Sequence, residues 1–189
     1  VVTELTERGK RVFLDLKLHD IPNTVAGGVR AASELGVDLL TVHAAGGTAM
    51  LDAAREAAAG RIKILGVTVL TSLSGAEIES VWGREIRSIR EEVGRLAELA
   101  TESRLDGVVA SALETSWLRR QVPEDLLIVT PGIRPSGSDR GDQSRVATPA
   151  AAVLAGSDYL VIGRPITQAD DPAASLAAIL SEIVTAVEE

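Results

Sequence analysis

The chain has no cysteine, one methionine and two histidines, and tryptophan, tyrosine and phenylalanine together make up only 2% of its 189 residues. Without cysteine there is no disulfide framework, no thiolate metal site and no cysteine nucleophile, and the composition suits a reducing compartment, so a cytoplasmic location is expected. Two histidines in no H-x-x-x-H or H-x-x-E-H spacing, and acidic residues in no metal-loop pattern, leave no metal site to predict. Lysine and arginine number 19 against 27 aspartates and glutamates, a net charge of −8, and no basic block occurs. Such a surface repels phosphates, so nucleic acid is excluded as the main partner, and any anionic ligand must be gripped locally. No apolar run reaches the roughly 18 residues of a membrane-spanning helix. What is present is 46% hydrophobic and 24% charged residues, the balance of a globular fold.

Short runs rich in Val, Ile and Leu alternate with longer stretches of helical period. The expected strands are Val12 to Lys17, Leu39 to His43, Ile62 to Leu70, Gly107 to Ser111, Leu126 to Thr130 and Tyr159 to Gly163. Helical faces are marked by Ile86, Ile89, Val93, Leu96 and Leu99, and at the end by Ile179, Leu180, Ile183, Val184 and Val187. Continuous apolar strands alternating with helices predict a parallel sheet and the α/β class. Polar residues recur where strands end: Asp15 and Lys17, His43, Thr71 and Ser72, Ser111, Thr130 with Arg134, and Gly163 with Arg164. Chemistry contributed by successive strand ends is the habit of a (β/α)₈ barrel, whereas a doubly wound sheet gathers its ligand at one switch point, and no G-x-G-x-x-G follows a strand. The expectation is one TIM-barrel domain over residues 1–189. A full barrel has eight units in about 250 residues. Six are counted here, and Val1 to Arg8 reads as the tail of a helix closed by Gly9, so an N-terminal truncation is expected.

The densest chemistry is Asp15-Leu-Lys17-Leu-His-Asp20, followed by Ile21-Pro22-Asn23-Thr24. Strand alternation puts Asp15 and Lys17 on one face, with Asp20 on the loop beyond. Charges at a barrel mouth are costly unless compensated, and compensated clusters there mark active sites. From spacing alone Lys17 can be a general acid, a Schiff-base nucleophile or a phosphate contact. In Gly163-Arg164-Pro-Ile-Thr167 the last strand ends at the usual barrel phosphate position, with Thr167 and Asp171 offering N-cap chemistry. Thr130-Pro-Gly-Ile-Arg134 opens an irregular stretch, Arg134 to Ala147, that holds Gln143 and is long enough to be functional. Gly46-Gly47 reads as a turn before a helix over Thr48 to Ala59. Trp82 and Trp117 fall on helical stretches as core or interface residues.

With these motifs in view, the sequence resembles the orotidine 5′-phosphate decarboxylases over its full length. FLDLKLHDIPNTV at 13–25 looks like the family signature, VTVLTS at 67–72 like its pyrimidine-contacting strand, and TPGIRPSGSDRGDQ with VIGRPIT like its phosphate lid and grip. Related phosphate-sugar decarboxylases and hexulose-phosphate synthases share D-x-K-x-x-D and are the near alternative. A non-catalytic phosphate-ligand binder is another. The resemblance implies decarboxylation of orotidine 5′-phosphate to uridine 5′-monophosphate without a cofactor, in a homodimer. It implies that Lys17 protonates the C6 carbanion, that Asp15 lies against the substrate carboxylate, and that Asp20 completes the charge network and reaches the neighbouring subunit. Ile21, Pro22, Asn23 and Thr24 carry over as substrate-binding positions, Thr71 and Ser72 as pyrimidine or ribose contacts, and Arg134, Gln143, Gly163 and Arg164 as lid and phosphate contacts. Family members also carry an Asp on a first strand and a Lys on a second, and neither position exists here.

Overall fold

A computed structural model describes residues 1–136 and 145–188. Helices α1 (Val2–Glu7), α2 (Pro22–Glu34), α3 (Thr48–Ala58), α4 (Gly75–Trp82), α5 (Ile89–Glu102), α6 (Ala112–Leu118), α7 (Pro149–Leu154), α8 (Arg164–Thr167) and α9 (Pro172–Glu188) alternate with six strands. The strands are β1 (Phe13–Leu18), β2 (Leu39–His43), β3 (Lys63–Val67), β4 (Gly107–Val109), β5 (Leu127–Thr130) and β6 (Tyr159–Leu160). The chain divides into two compact units. One comprises Val1–Thr68, Gly94–Val108 and Val122–Leu126, the other Val69–Val93, Val109–Gln121 and Leu127–Glu189.

In the first unit β1, β2, β3 and β4 lie in chain order, and the β1–β2 and β2–β3 pairs are parallel. β2 runs in unbroken register with β3 from Leu39 opposite Lys63 to His43 opposite Val67. Its first four residues are all buried, as a strand covered on both faces requires. Helices α2 and α3 pack together and bury Val25, Val29, Met50 and Leu51. Each such side chain contributes about 1.5–3 kcal/mol by leaving water. In the second unit Ala110, just past β4, donates its N–H to the Val129 carbonyl of β5, and β5 pairs in parallel with β6. Helix α9 packs on α7 and α8.

A recurrent aspartate ties the strand starts together. Asp38, one residue before β2, accepts from the Val12 N–H at 2.7 Å. Asp106, before β4, accepts from Ile64 N–H at 2.8 Å, and Asp158, before β6, from Ile128 N–H at 2.7 Å. Each carboxylate satisfies a backbone donor that the parallel ladder leaves at the start of the preceding strand. These three acids are therefore structural.

Several expected boundaries move. The apolar run Ile62 to Leu70 is strand only to Val67, because Leu70 to Leu73 forms a turn closed by Leu73 N–H to the Leu70 carbonyl. The strand expected over Gly107 to Ser111 stops at Val109, since the Ser111 side chain caps α6 by accepting from Leu113 N–H. That expected over Tyr159 to Gly163 stops at Leu160. Ile86 lies before α5, its N–H bound by the Glu79 carboxylate. On α9 only Ile179 of the expected apolar face is buried, while Leu180, Val184 and Val187 are exposed. Gly9 follows α1 with φ +67°, and Gly47 precedes α3 with φ +81°, so both glycines hold left-handed backbone as expected. Trp82 and Trp117 are half-buried, and the Arg84 guanidinium lies 5.3 Å from the Trp82 ring centre.

Candidate active site

In the first unit the chemistry gathers at the end of β1. Lys17 Nζ donates to Asp15 Oδ2 at 2.5 Å, with both side chains about two-fifths exposed. Plain strand alternation does not produce this pair. The β1–β2 register runs Leu14 opposite Leu40, then Leu18 opposite Val42, so residues 15–17 bulge opposite Thr41 alone. Within the bulge Lys17 adopts φ +51°, a left-handed conformation that costs a non-glycine residue about 1–2 kcal/mol. Strain of this kind clusters at functional sites. β1 is also not the doubly buried strand its apolar run suggests: it lies at the edge of the sheet order, and Leu16 is exposed.

Thr41, fully buried on β2, spans the bulge. Its hydroxyl accepts from Lys17 N–H at 2.9 Å and donates to Asp15 Oδ1 at 2.8 Å. Asp15 is thus held through both oxygens, one by a neutral hydroxyl and one by an ammonium. His43 ends β2, and its ring lies 5.2 Å from that of His19. Burial holds the His43 pKa below its ordinary value, and the positive sides of His19 and Lys17 push the same way against a smaller pull from Asp15.

The loop to α2 places the rest of the motif. Exposed Asp20 accepts from Ile21 N–H at 2.7 Å, Ile21 is the N-cap residue of α2, and Pro22 takes the first helical position, where its missing N–H costs nothing. Ile21, Pro22, Asn23 and Thr24 are all exposed. Asn23 opens on a shallow cleft of about 460 Å³ between α2 and α3, lined also by Arg30, Glu56 and Arg61.

In the second unit buried Thr71 and exposed Ser72 form the turn after β3. Arg134 follows β5, giving Nη1 to the Ile133 carbonyl at 2.8 Å and its N–H to the Ala147 carbonyl at 2.8 Å. Gly163 is the N-cap residue of α8 and Arg164 its first residue. Asp171 caps α9 through Ala174 N–H at 2.9 Å, whereas Thr167 closes α8 and caps nothing. Gln143 lies outside the described residues. Among the described residues no three of His, Cys, Asp and Glu cluster as metal ligands, and no helix is long and apolar enough to cross a membrane.

The family model for orotidine 5′-phosphate decarboxylase / HUMPS matches residues 1–179. The chain belongs to this family. The orotidine 5′-phosphate decarboxylase of Moorella thermoacetica is 56% identical over 96% of the chain and 75% of its own length. That of Halorhodospira halophila is 56% identical over 98% of the chain and 79% of its length. Among solved structures, the orotidine 5′-phosphate decarboxylase of Lactobacillus acidophilus superposes with a TM-score of 0.84 at 40% identity, covering 96% of this chain and 79% of that one. Its counterpart from Pyrococcus horikoshii gives 0.73 at 28% identity, over 95% and 77%. The fold class expected from the strand ends, an α/β barrel, six of whose strands lie among the described residues, is the class of these decarboxylases.

Two features of this family member escape a reading of its sequence. Thr41 sits among apolar residues of a strand, where threonine signals β propensity and nothing more. Arg145 and Glu114, far apart in sequence, form a buried pair in the second unit at 3.1 Å, and Arg145 Nη2 also donates to the carbonyls of Val69 and Leu70. This arginine fixes the backbone that leads into Thr71 and Ser72. A buried arginine after a polar stretch of sequence carries no signal of its partner in one sequence.

Proposed function

We propose that this chain decarboxylates orotidine 5′-phosphate to uridine 5′-monophosphate, with Lys17 as the proton donor. The observation that carries the proposal is the Asp15–Lys17 pair, held on a strained bulge at a strand's C-terminal end in a member of this family. As the C6–carboxylate bond breaks, its electron pair stays on C6 and carbon dioxide departs. The Lys17 ammonium then gives a proton to C6 and is restored from solvent. An sp² carbanion with no electron sink needs a preorganised electrostatic site with its acid already in place. Asp15 serves both ends of that requirement. It holds the Lys17 ammonium close, and its own negative charge crowds a substrate carboxylate, which is relieved as carbon dioxide leaves.

The remaining assignments follow the same reading. Thr71 and Ser72 face the pyrimidine or ribose, and Arg134, Gln143, Gly163 and Arg164 take the phosphate. Binding energy from a phosphate remote from C6 is then available to close the site. Asp20, exposed at the head of α2, reaches across a homodimer interface into the partner's site. Ile21, Pro22, Asn23 and Thr24 shape the approach to it.

The test runs the reaction in D₂O with the 189-residue chain. Uridine 5′-monophosphate carrying one deuterium at C6 is expected, and none from Lys17→Ala. Binding of uridine 5′-monophosphate without any turnover would support the non-catalytic phosphate-ligand reading instead.

A further inference from the structure

We propose that Thr41 is a positioning residue for the Asp15–Lys17 pair, its single hydroxyl both orienting the carboxylate and holding the bulge that aims the ammonium. The inference rests on the reading of that pair as the reaction centre. Thr41 lies mid-strand between Leu40 and Val42, is fully buried, and has the shape of valine. A buried hydroxyl is costly unless bonded, so its presence on such a strand calls for the bonds it makes.

Those bonds are specific. Residues 15, 16 and 17 stand opposite Thr41 alone, so the bulge removes the Lys17 N–H from the regular ladder. The Thr41 oxygen takes that N–H at 2.9 Å. With its lone-pair side used there, the hydroxyl proton points to Asp15 Oδ1 at 2.8 Å, leaving Oδ2 for Lys17 Nζ. One atom therefore sets which carboxylate oxygen meets the ammonium and which backbone conformation carries the lysine. Thr41 touches neither reacting atom, and its effect passes through Asp15 and Lys17. Serine keeps the hydroxyl, and valine keeps the shape.

The test compares Thr41→Val and Thr41→Ser with the parent chain. It reads kcat and KM for orotidine 5′-phosphate, the Kd of uridine 5′-monophosphate, and hydrogen exchange at the Lys17 amide. Misplacing a catalytic group by about 1 Å costs on the order of 100-fold, so Thr41→Val is expected to lower kcat about 10- to 100-fold. KM and Kd should stay within about threefold, since uniform binding is untouched. Thr41→Ser should restore kcat, and the Lys17 amide should exchange faster in the valine variant only. An unchanged kcat in Thr41→Val, or a serine variant as slow as valine, overturns the proposal. Should Thr41→Val not fold, Thr41→Ala takes its place in the same comparison. If the parent chain and Lys17→Ala are equally inactive, the decarboxylase reading fails. The amide exchange still judges the clasp, and an unaltered Lys17 amide in Thr41→Val then overturns it.

Discussion

Partial burial denies a proton on His43 its water, and that proton adds a cation to a corner that already holds the His19 ring and the Lys17 ammonium. Its pKa is lowered for those reasons. In the unfolded chain His43 titrates near its ordinary value of about 6.5, so just below that pH the unfolded state holds more protons than the native state. The stability this histidine contributes is therefore fully present above about pH 6.5 and lost as pH falls through its lowered native value. The melting temperature is expected to drop as pH falls below about 6.5. His43→Asn should flatten that part of the profile, and an equal slope in both proteins would contradict the assignment. A charged hydrogen bond to phosphate is worth about 1.5–3 kcal/mol, so Arg164→Ala is expected to weaken uridine 5′-monophosphate by about 10- to 100-fold and leave uridine unaffected. Calorimetric titration with both ligands reads this directly.

The elements show where a sequence reading reaches and where it stops. Asp15, Lys17 and Asp20 stand out in the sequence because charges set against an apolar strand need a reason, and of these the fold brings the first two together. The bulge between them was not legible, because alternation assumes a regular ladder and only pairing with β2 reveals three residues opposite one. For the same reason Thr41 looked like any β-branched strand residue. Strand ends overshot wherever apolar residues continue into a turn, as from Thr68 to Leu70, since hydrophobicity does not distinguish a strand from a buried turn. At Gly66 in β3 an added Cβ would meet Ala100 Cβ at 3.2 Å and Leu105 Cδ1 at 3.3 Å. Gly66→Ala is thus expected to destabilise by about 1–3 kcal/mol through overpacking. In the second unit Glu114→Ala leaves the Arg145 guanidinium buried beside two carbonyls without its counter-charge. A loss of about 3–5 kcal/mol is expected, read as a lower urea midpoint, and a midpoint within error of the parent would contradict it.

For the whole molecule, charge and association matter most. With a net charge of −8 the surface as a whole disfavours a phosphate dianion. Under the proposed function capture rests on Arg134 and Arg164, so affinity is expected to fall as salt screens those two cations. The proposed homodimer, in which Asp20 would serve the partner's site, has twice the 19.8 kDa of one chain. Sedimentation equilibrium giving the single-chain mass would remove that role for Asp20 while leaving Lys17 and Asp15 in theirs. The proposed reaction turns on Lys17, and following the loss of orotidine 5′-phosphate over time with the purified chain beside Lys17→Ala, prepared in the same way, tests this. Turnover is expected in the parent and its disappearance in the variant. Equal rates in the two, or none in either, would contradict it.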